Sequence, residues 1–289
     1  MFDFDILDSK TLLGESSFYL HKTNEIVFLD LLNPSILFYS IKNKILSKEK
    51  LNLPKPLGNI YPMNNGKFII SSLNGLHLYD RNKKTIKYFQ DVRKKEELDK
   101  ISYNDGTITK NKLWIGLSHI KEKENLGYFG YLQKNKFNKI DQGFKVSNGP
   151  AIDEKQNYLY FSDSFNSTIY QYNLTTLKKK LIYKFKKNQG FPDGIALDNQ
   201  KGLWVAHWAG GQVSRINLKT KKIDVVFKIP ALNITSIAFI GQKLNHIFVT
   251  SAKIETSKQQ LQTYKYSGSS FIIQTNFTGQ KIPYSNLNQ

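Results

Sequence analysis

Two carboxylates and two carboxamides stand at a common phase of this 289-residue chain: Glu15, Asn104, Asn148 and Asp193. Each lies 10–13 residues ahead of the centre of a short apolar run. Oxygen donors of this kind suit a hard divalent cation. No histidine falls at that phase, and the chain has no cysteine, which excludes thiolate zinc sites, iron–sulfur clusters, disulfides and a cysteine nucleophile. No nucleophile elbow, phosphate loop or zinc-protease helix is present. Three of the four residues sit in turn-like sequences, Asn104-Asp105-Gly106, Asn148-Gly149 and Asp193-Gly194, and Asn-Gly and Asp-Gly are strong hairpin signals. Phase separates them from ordinary turns. Asn74-Gly75 follows an apolar run, in the usual hairpin slot, whereas these three sit ahead of the innermost strand. Ahead of two further apolar runs that phase offers only Asn59 and the pair Thr235 and Ser236.

The elements that must position this set are short strands. Runs centred on Phe28, Ile70, Trp114, Tyr160, Trp204 and Phe248 recur at spacings of 42, 44, 46, 44 and 44 residues. A period of that size marks a stacked array or propeller. Each run is preceded by a shorter apolar stretch, such as Gly194–Asp198, and followed by an alternating one, such as Thr168–Asn173. A basic amphipathic run, such as Lys222–Lys228, completes the unit. Four strands in each of six units predict an all-β, six-bladed β-propeller of four-stranded blades, with residues 1–289 as a single domain. The helical pattern finds nothing longer than the charged segment Lys94–Lys100, which reads as a loop. Phe4 and Ile6 alternate with Asp3 and Asp5, so Phe2–Leu7 is expected to close the last blade and cover its open edge. The functional end of such a fold is the mouth of the central channel where the innermost strands begin.

Among the remaining candidates, Trp114 and Trp204 occupy equivalent strand positions and read as core. Trp208, before Gly210-Gly211, reads as a substrate wall. His21 and His246 fall in turns, His77 alternates within a strand and is expected to point outward, and His119 and His207 follow second strands away from the ligand phase and read as structural, with substrate contact from a rim as the alternative.

Charge narrows the partners. Lys+Arg number 42 against 23 Asp+Glu, a formal net charge of +19, yet only Arg81, Arg93 and Arg215 are arginine and the lysines are scattered. Nucleic-acid readers favour the bidentate arginine fork, so no nucleic-acid partner is expected. No run approaches 18 apolar residues, and the acidic start Met1-Phe2-Asp3-Phe4-Asp5 is unlike a signal peptide. The expectation is no membrane association and a cytoplasmic location.

Several ordered motifs resemble the regucalcin / senescence marker protein / gluconolactonase family of six-bladed propellers. They are Leu13-Gly14-Glu15, Asn104-Asp105-Gly106 with Leu113-Trp114-Ile115-Gly116, and Ser147-Asn148-Gly149 with Phe161-Ser162-Asp163-Ser164. Phe191-Pro192-Asp193-Gly194-Ile195, Leu203-Trp204-Val205-Ala206, Gly210-Gly211-Gln212-Val213 and Val249-Thr250-Ser251-Ala252 follow in order. The resemblance spans essentially the whole chain. It implies one divalent metal cation (Ca, Zn, Mg, Mn or Fe) held by Glu15, Asn148 and Asp193, with Asn104 beside it contacting substrate or water. The implied activity is metal-dependent hydrolysis of a small-molecule lactone of the aldonolactone type. Asp193 would double as proton acceptor, and Asn104 would orient the ring or stabilise an oxyanion. Three departures stand out. Ser16-Ser17 follows Glu15 where the family has Gly-Pro or Gly-Ser, Ser102 replaces an arginine, and Lys121 aligns with a glutamate, with Glu122 adjacent. Loss of the arginine fork predicts a preference displaced from gluconolactone, toward smaller or anionic lactones, with Lys121 restoring a positive charge if its loop folds over the channel. The alternatives are a non-catalytic metal-binding regulatory propeller and a protein-interaction scaffold, since architecture alone does not fix function.

Overall fold

In a computed structural model that describes residues 4–287, six antiparallel four-stranded sheets are arranged as the blades of a propeller. The innermost strands are Gly14–Leu20, Leu57–Pro62, Ile101–Thr109, Ser147–Asp153, Phe191–Leu197 and Asn233–Ile240. Their neighbours are the strands the repeat picked out: Glu25–Asp30, Phe68–Ser72, Lys112–His119, Tyr158–Asp163, Gly202–Trp208 and His246–Ala252. These second strands are buried on both faces, which is why they read as near-continuous apolar runs. The outermost strands Ile45–Lys50, Lys179–Lys184 and Lys222–Lys228 are short, largely exposed and rich in lysine, which protects an unpaired edge.

The last blade is closed from the other end of the chain. Phe4–Leu7 pairs antiparallel with Ser270–Gln274, in the register Phe4↔Ile273 to Leu7↔Ser270, and becomes that blade's fourth strand. Phe2 and Asp3, part of the expected closing strand, lie outside the described residues. One short helix was not anticipated: Lys258–Thr263, capped by the Ser257 hydroxyl accepting from the Gln260 N–H. The segment Lys94–Lys100 is a loop with one 3₁₀ turn at Lys95–Glu97. No helix among the described residues is long and apolar enough to cross a membrane.

Apolar faces meet between neighbouring blades. Trp114 packs with Phe129, Phe144, Phe161 and Tyr172 between the third and fourth blades, where Phe129 and Phe161 stack with centroids 4.3 Å apart. Trp204 fills the equivalent space between the fifth and sixth, against Phe227 and Phe239. Each such ring contributes roughly 1.5–3 kcal/mol by leaving water. Both tryptophans are core residues, as their matched strand positions required.

Every innermost strand is interrupted at the same place. The pairing with the second strand slips between Glu15 and Phe18, Leu57 and Ile60, Tyr103 and Gly106, Asn148 and Ala151, Pro192 and Ile195, and Ile234 and Ile237. A β-bulge releases residues from the ladder and re-aims their side chains. Six bulges at one level therefore turn a ring of side chains toward one end of the channel.

Candidate functional site

The ring of bulges opens on a cavity of about 280 Å³ lined by Glu15, Asn104, Asp105, Asn148, Asp193, Ser164 and Trp208, among others. All four residues singled out by phase are here, and so is Trp208. The turn-like sequences around Asn104, Asn148 and Asp193 do not precede the innermost strands but lie inside them, as bulges. Gly, Asn and Asp serve both conformations, because both need residues that tolerate leaving the extended region.

Glu15 is buried, and its Oε2 accepts the Ser16 N–H at 2.8 Å. Ser16 takes a φ of +55° and donates its hydroxyl to the Gly58 carbonyl at 3.0 Å, while the Ser17 N–H reaches the Ser236 hydroxyl at 3.1 Å. The Ser16-Ser17 pair thus bonds the first blade to both of its neighbours. Asp193 is buried as well, its backbone held by the Ser162 hydroxyl at 2.9 Å.

The amide of Asn148 is oriented by a relay. The Ser164 hydroxyl donates to the Pro192 carbonyl at 2.7 Å, so its oxygen must accept from Asn148 Nδ2 at 3.0 Å. That leaves Asn148 Oδ1 toward the cavity, where Asn104 Nδ2 donates to it at 2.7 Å. The second hydrogen of Asn104 Nδ2 goes to the Ser147 carbonyl at 2.8 Å. Both amide hydrogens of Asn104 are committed, and its free atom is the acceptor Oδ1. The expected oxyanion role for Asn104 does not fit this arrangement. An acceptor can orient a hydroxyl or a water, not stabilise negative charge.

Asp105 was visible in the sequence only as the middle of a turn motif. It lines the cavity, with Oδ1 accepting the Gly106 N–H at 2.7 Å and Oδ2 the Gly149 N–H at 3.1 Å. Burial raises its carboxyl to about 7 against those two hydrogen bonds. Burial and then the Asp105 charge push Glu15 well above the usual carboxylate range, and burial followed by Glu15 and Asp105 does the same to Asp193. Glu122 and Glu255 stand at the exposed lip.

No ion pair among the described residues engages Glu15, Asp105, Asp193, Glu122 or Glu255. Among those residues no three His, Cys, Asp or Glu side chains assemble as a metal-ligand group; the set here mixes Glu15 and Asp193 with an amide oxygen. Crowded, desolvated carboxylates without a cationic partner, beside an amide oxygen turned the same way, fit a hard divalent cation.

Two expected contacts are not brought to the cavity. Ser102 is buried one step outside it, opposite Ser118 in the ladder. Lys121 is exposed in its loop, and it is the adjacent Glu122 that faces the cavity. The histidines are not at the rim either. His207 is fully buried, with Nε2 2.7 Å from the Ser214 hydroxyl, and His119 uses Nδ1 to accept the Lys123 and Glu124 N–H groups. His77, expected to point outward, is buried beside Ser72. A larger cavity of about 490 Å³ lies at the opposite end, where Thr278–Pro283 lines it, but none of the four phased residues reaches it.

Comparison with known proteins agrees with the fold. Residues 13–253 match the family described as SMP-30/Gluconolactonase/LRE-like region. Regucalcin of Danio rerio is 25% identical over 92% of this chain and 92% of its own length. A 6-deoxy-6-sulfogluconolactonase of Pseudomonas putida is 26% identical over 82% of this chain and 83% of its own. The crystal structure of a calcium-binding protein, regucalcin, from Agrobacterium tumefaciens superposes with a TM-score of 0.90 at 20% identity, covering 99% of this chain and 98% of that one.

Proposed function

The chain belongs to the SMP-30/gluconolactonase/LRE-like family, and on that premise we propose that it is a divalent-metal-dependent lactonase working at the bulged end of its channel. The observation that carries the proposal is the cluster of carboxylates at Glu15, Asp193 and the half-buried Asp105, all raised by burial, Glu15 and Asp193 also by neighbouring carboxylate charge, and none engaged by an ion pair. Glu15, Asn148 and Asp193 would hold the cation, three protein ligands that leave positions open. The chemistry it supplies when bound is Lewis acidity toward an ester carbonyl and a lowered pKa for water.

The chain's own groups do the rest. Ser164 and Pro192 keep the Asn148 oxygen turned inward. Asn104 Oδ1 accepts a hydrogen from a ring substituent or from the attacking water and so fixes its approach. The Asp193 carboxylate takes the proton of the attacking water and returns it to the ring oxygen as the ester C–O bond breaks, giving a hydroxy acid. Trp208 forms one wall.

Elemental analysis of the purified protein, followed by a pH-indicator assay on a lactone panel with and without chelator, tests this. Glu15→Gln and Asp193→Asn should each weaken metal binding and abolish hydrolysis while the β circular-dichroism spectrum is kept. Full activity in either variant at limiting metal would refute the assignment. A metallated wild type inactive on every lactone would replace the enzyme by a metal-binding propeller.

A further inference from the structure

The rest of the cavity wall carries a second message. Resting on the lactonase proposed above, we infer that the substrate is an uncharged lactone bearing an apolar alkyl or aryl substituent, held on a shelf of Phe165, Phe191 and Trp208. The three rings come from adjoining stretches of the fourth and fifth blades. Phe191 opens an innermost strand opposite Trp208 in the ladder, and Phe165 lies with its ring centroid 6.3 Å from that of Phe191. Phe165 and Phe191 are 46% and 43% exposed at the cavity mouth. Exposed aromatic rings lining a concave site are an apolar binding surface, and Leu31, Val146 and Ile254 extend the same character around the wall.

Charge and hydrogen bonding weigh against the competing classes. No lysine or arginine lines the cavity, although the chain has 42 of them; Lys145 comes nearest, its Nζ 5.2 Å from the centre of the Phe165 ring at the mouth. With the proposed cation bound, its charge offsets Glu15 and Asp193, and the carboxylates of Asp105, Glu122 and Glu255 remain around the cavity. An anionic lactone would therefore meet like charge, and the expectation of one, drawn from Lys121, is withdrawn. A polyol needs donors as well as acceptors. Here both amide hydrogens of Asn104, one of the two on Asn148 and the Ser164 hydroxyl are spent within the protein, which leaves few donors for a polyol. The ring carbonyl belongs at the carboxylate and amide end, the substituent on the shelf.

The test separates this inference from the reaction. Non-hydrolysable δ-lactams are titrated into the metal-loaded protein by calorimetry: one with an unbranched pentyl chain, one unsubstituted, and gluconolactam. The pentyl lactam is expected to bind tightest, by about tenfold or more given the worth of each buried methylene, and with a negative heat-capacity change. In Phe165→Ser/Phe191→Ser, two exposed positions whose change leaves the core intact, that advantage should collapse to within about threefold, with thermal melting as the folding control. Gluconolactam binding tightest, or a pentyl advantage untouched by the double variant, overturns the inference. If the shelf behaves as expected and no lactone is hydrolysed, the lactonase proposal fails while the assignment of the shelf stands.

Discussion

The carboxyl of Asp105 offers a quantitative test of the site's electrostatics. Stripped of divalent ions, the folded chain keeps this group protonated up to about pH 7, whereas a carboxyl in the unfolded chain ionises near pH 3.9. Between those values the folded state binds more protons than the unfolded one. Stability conferred by this group is therefore present at low pH and is lost as pH rises, by about 1.4 kcal/mol per pH unit, to a total of at most about 4 kcal/mol. That total is an upper bound because Asp105 is only half-buried and keeps contact with water in the cavity. Asp105→Asn removes the titration. Its Oδ1 still accepts the Gly106 N–H, but its Nδ2 would face the Gly149 N–H, donor against donor, costing about 1–3 kcal/mol. Urea unfolding in EDTA should thus show the variant less stable near pH 4 and more stable near pH 8, by up to about 3 kcal/mol, with a crossing between about pH 4.6 and 6. A saturating divalent ion should flatten the wild-type profile, because the ion takes over the protons' task. Parallel profiles for the two proteins, or a wild type that gains stability as pH rises through this window, would refute the argument.

Two other substitutions test the scaffold. Arg215 is buried with Nε 2.6 Å from Asp198 and Nη1 2.6 Å from Asp224, so Arg215→Ala should cost about 3–5 kcal/mol in urea unfolding by stranding the buried Asp198 carboxylate. Gly149 has a φ of +75°, and a methyl group there would lie 2.9 Å from Ile195 Cδ1; Gly149→Ala should cost at least about 1–2 kcal/mol and lower the melting temperature by several degrees.

The fold was legible because a propeller repeats one packing problem six times. Each second strand is buried on both faces and each outer strand is half in water, so hydropathy marks them at a fixed period. The closing strand showed through the alternation of Phe4 and Ile6. The level of the candidate site was legible for the same reason, since Glu15, Asn148 and Asp193 line one cavity from the same level of three blades. What the period could not give is how the chain leaves its ladder. Asn104-Asp105 reads as a turn in one dimension and is a bulge in three, and only the bulge turns Asp105 toward Gly149 of the next blade. Glu122 and Glu255 carry no phase at all. They sit in loops, each at a φ near +55°, where no repeat constrains the spacing. His119, which read as structural because it follows a strand away from the ligand phase, is buried, its ring accepting the two backbone N–H groups that shape the Glu122 loop.

The net charge of +19 and the acidic cavity describe different distances. Scattered lysines set a field that favours anions around the protein as a whole. Within the cavity, low dielectric and short separations let Asp105, Glu122 and Glu255 dominate, since unit charges a few ångströms apart interact far more strongly than charges separated by more than a Debye length of salt solution. On the activity proposed above, the two scales act in sequence. A neutral lactone enters without a charge penalty and leaves as a hydroxy-acid anion, created beside carboxylates and facing a positive exterior. The carboxylates that deny the site to anionic substrates are then the ones that expel its anionic product.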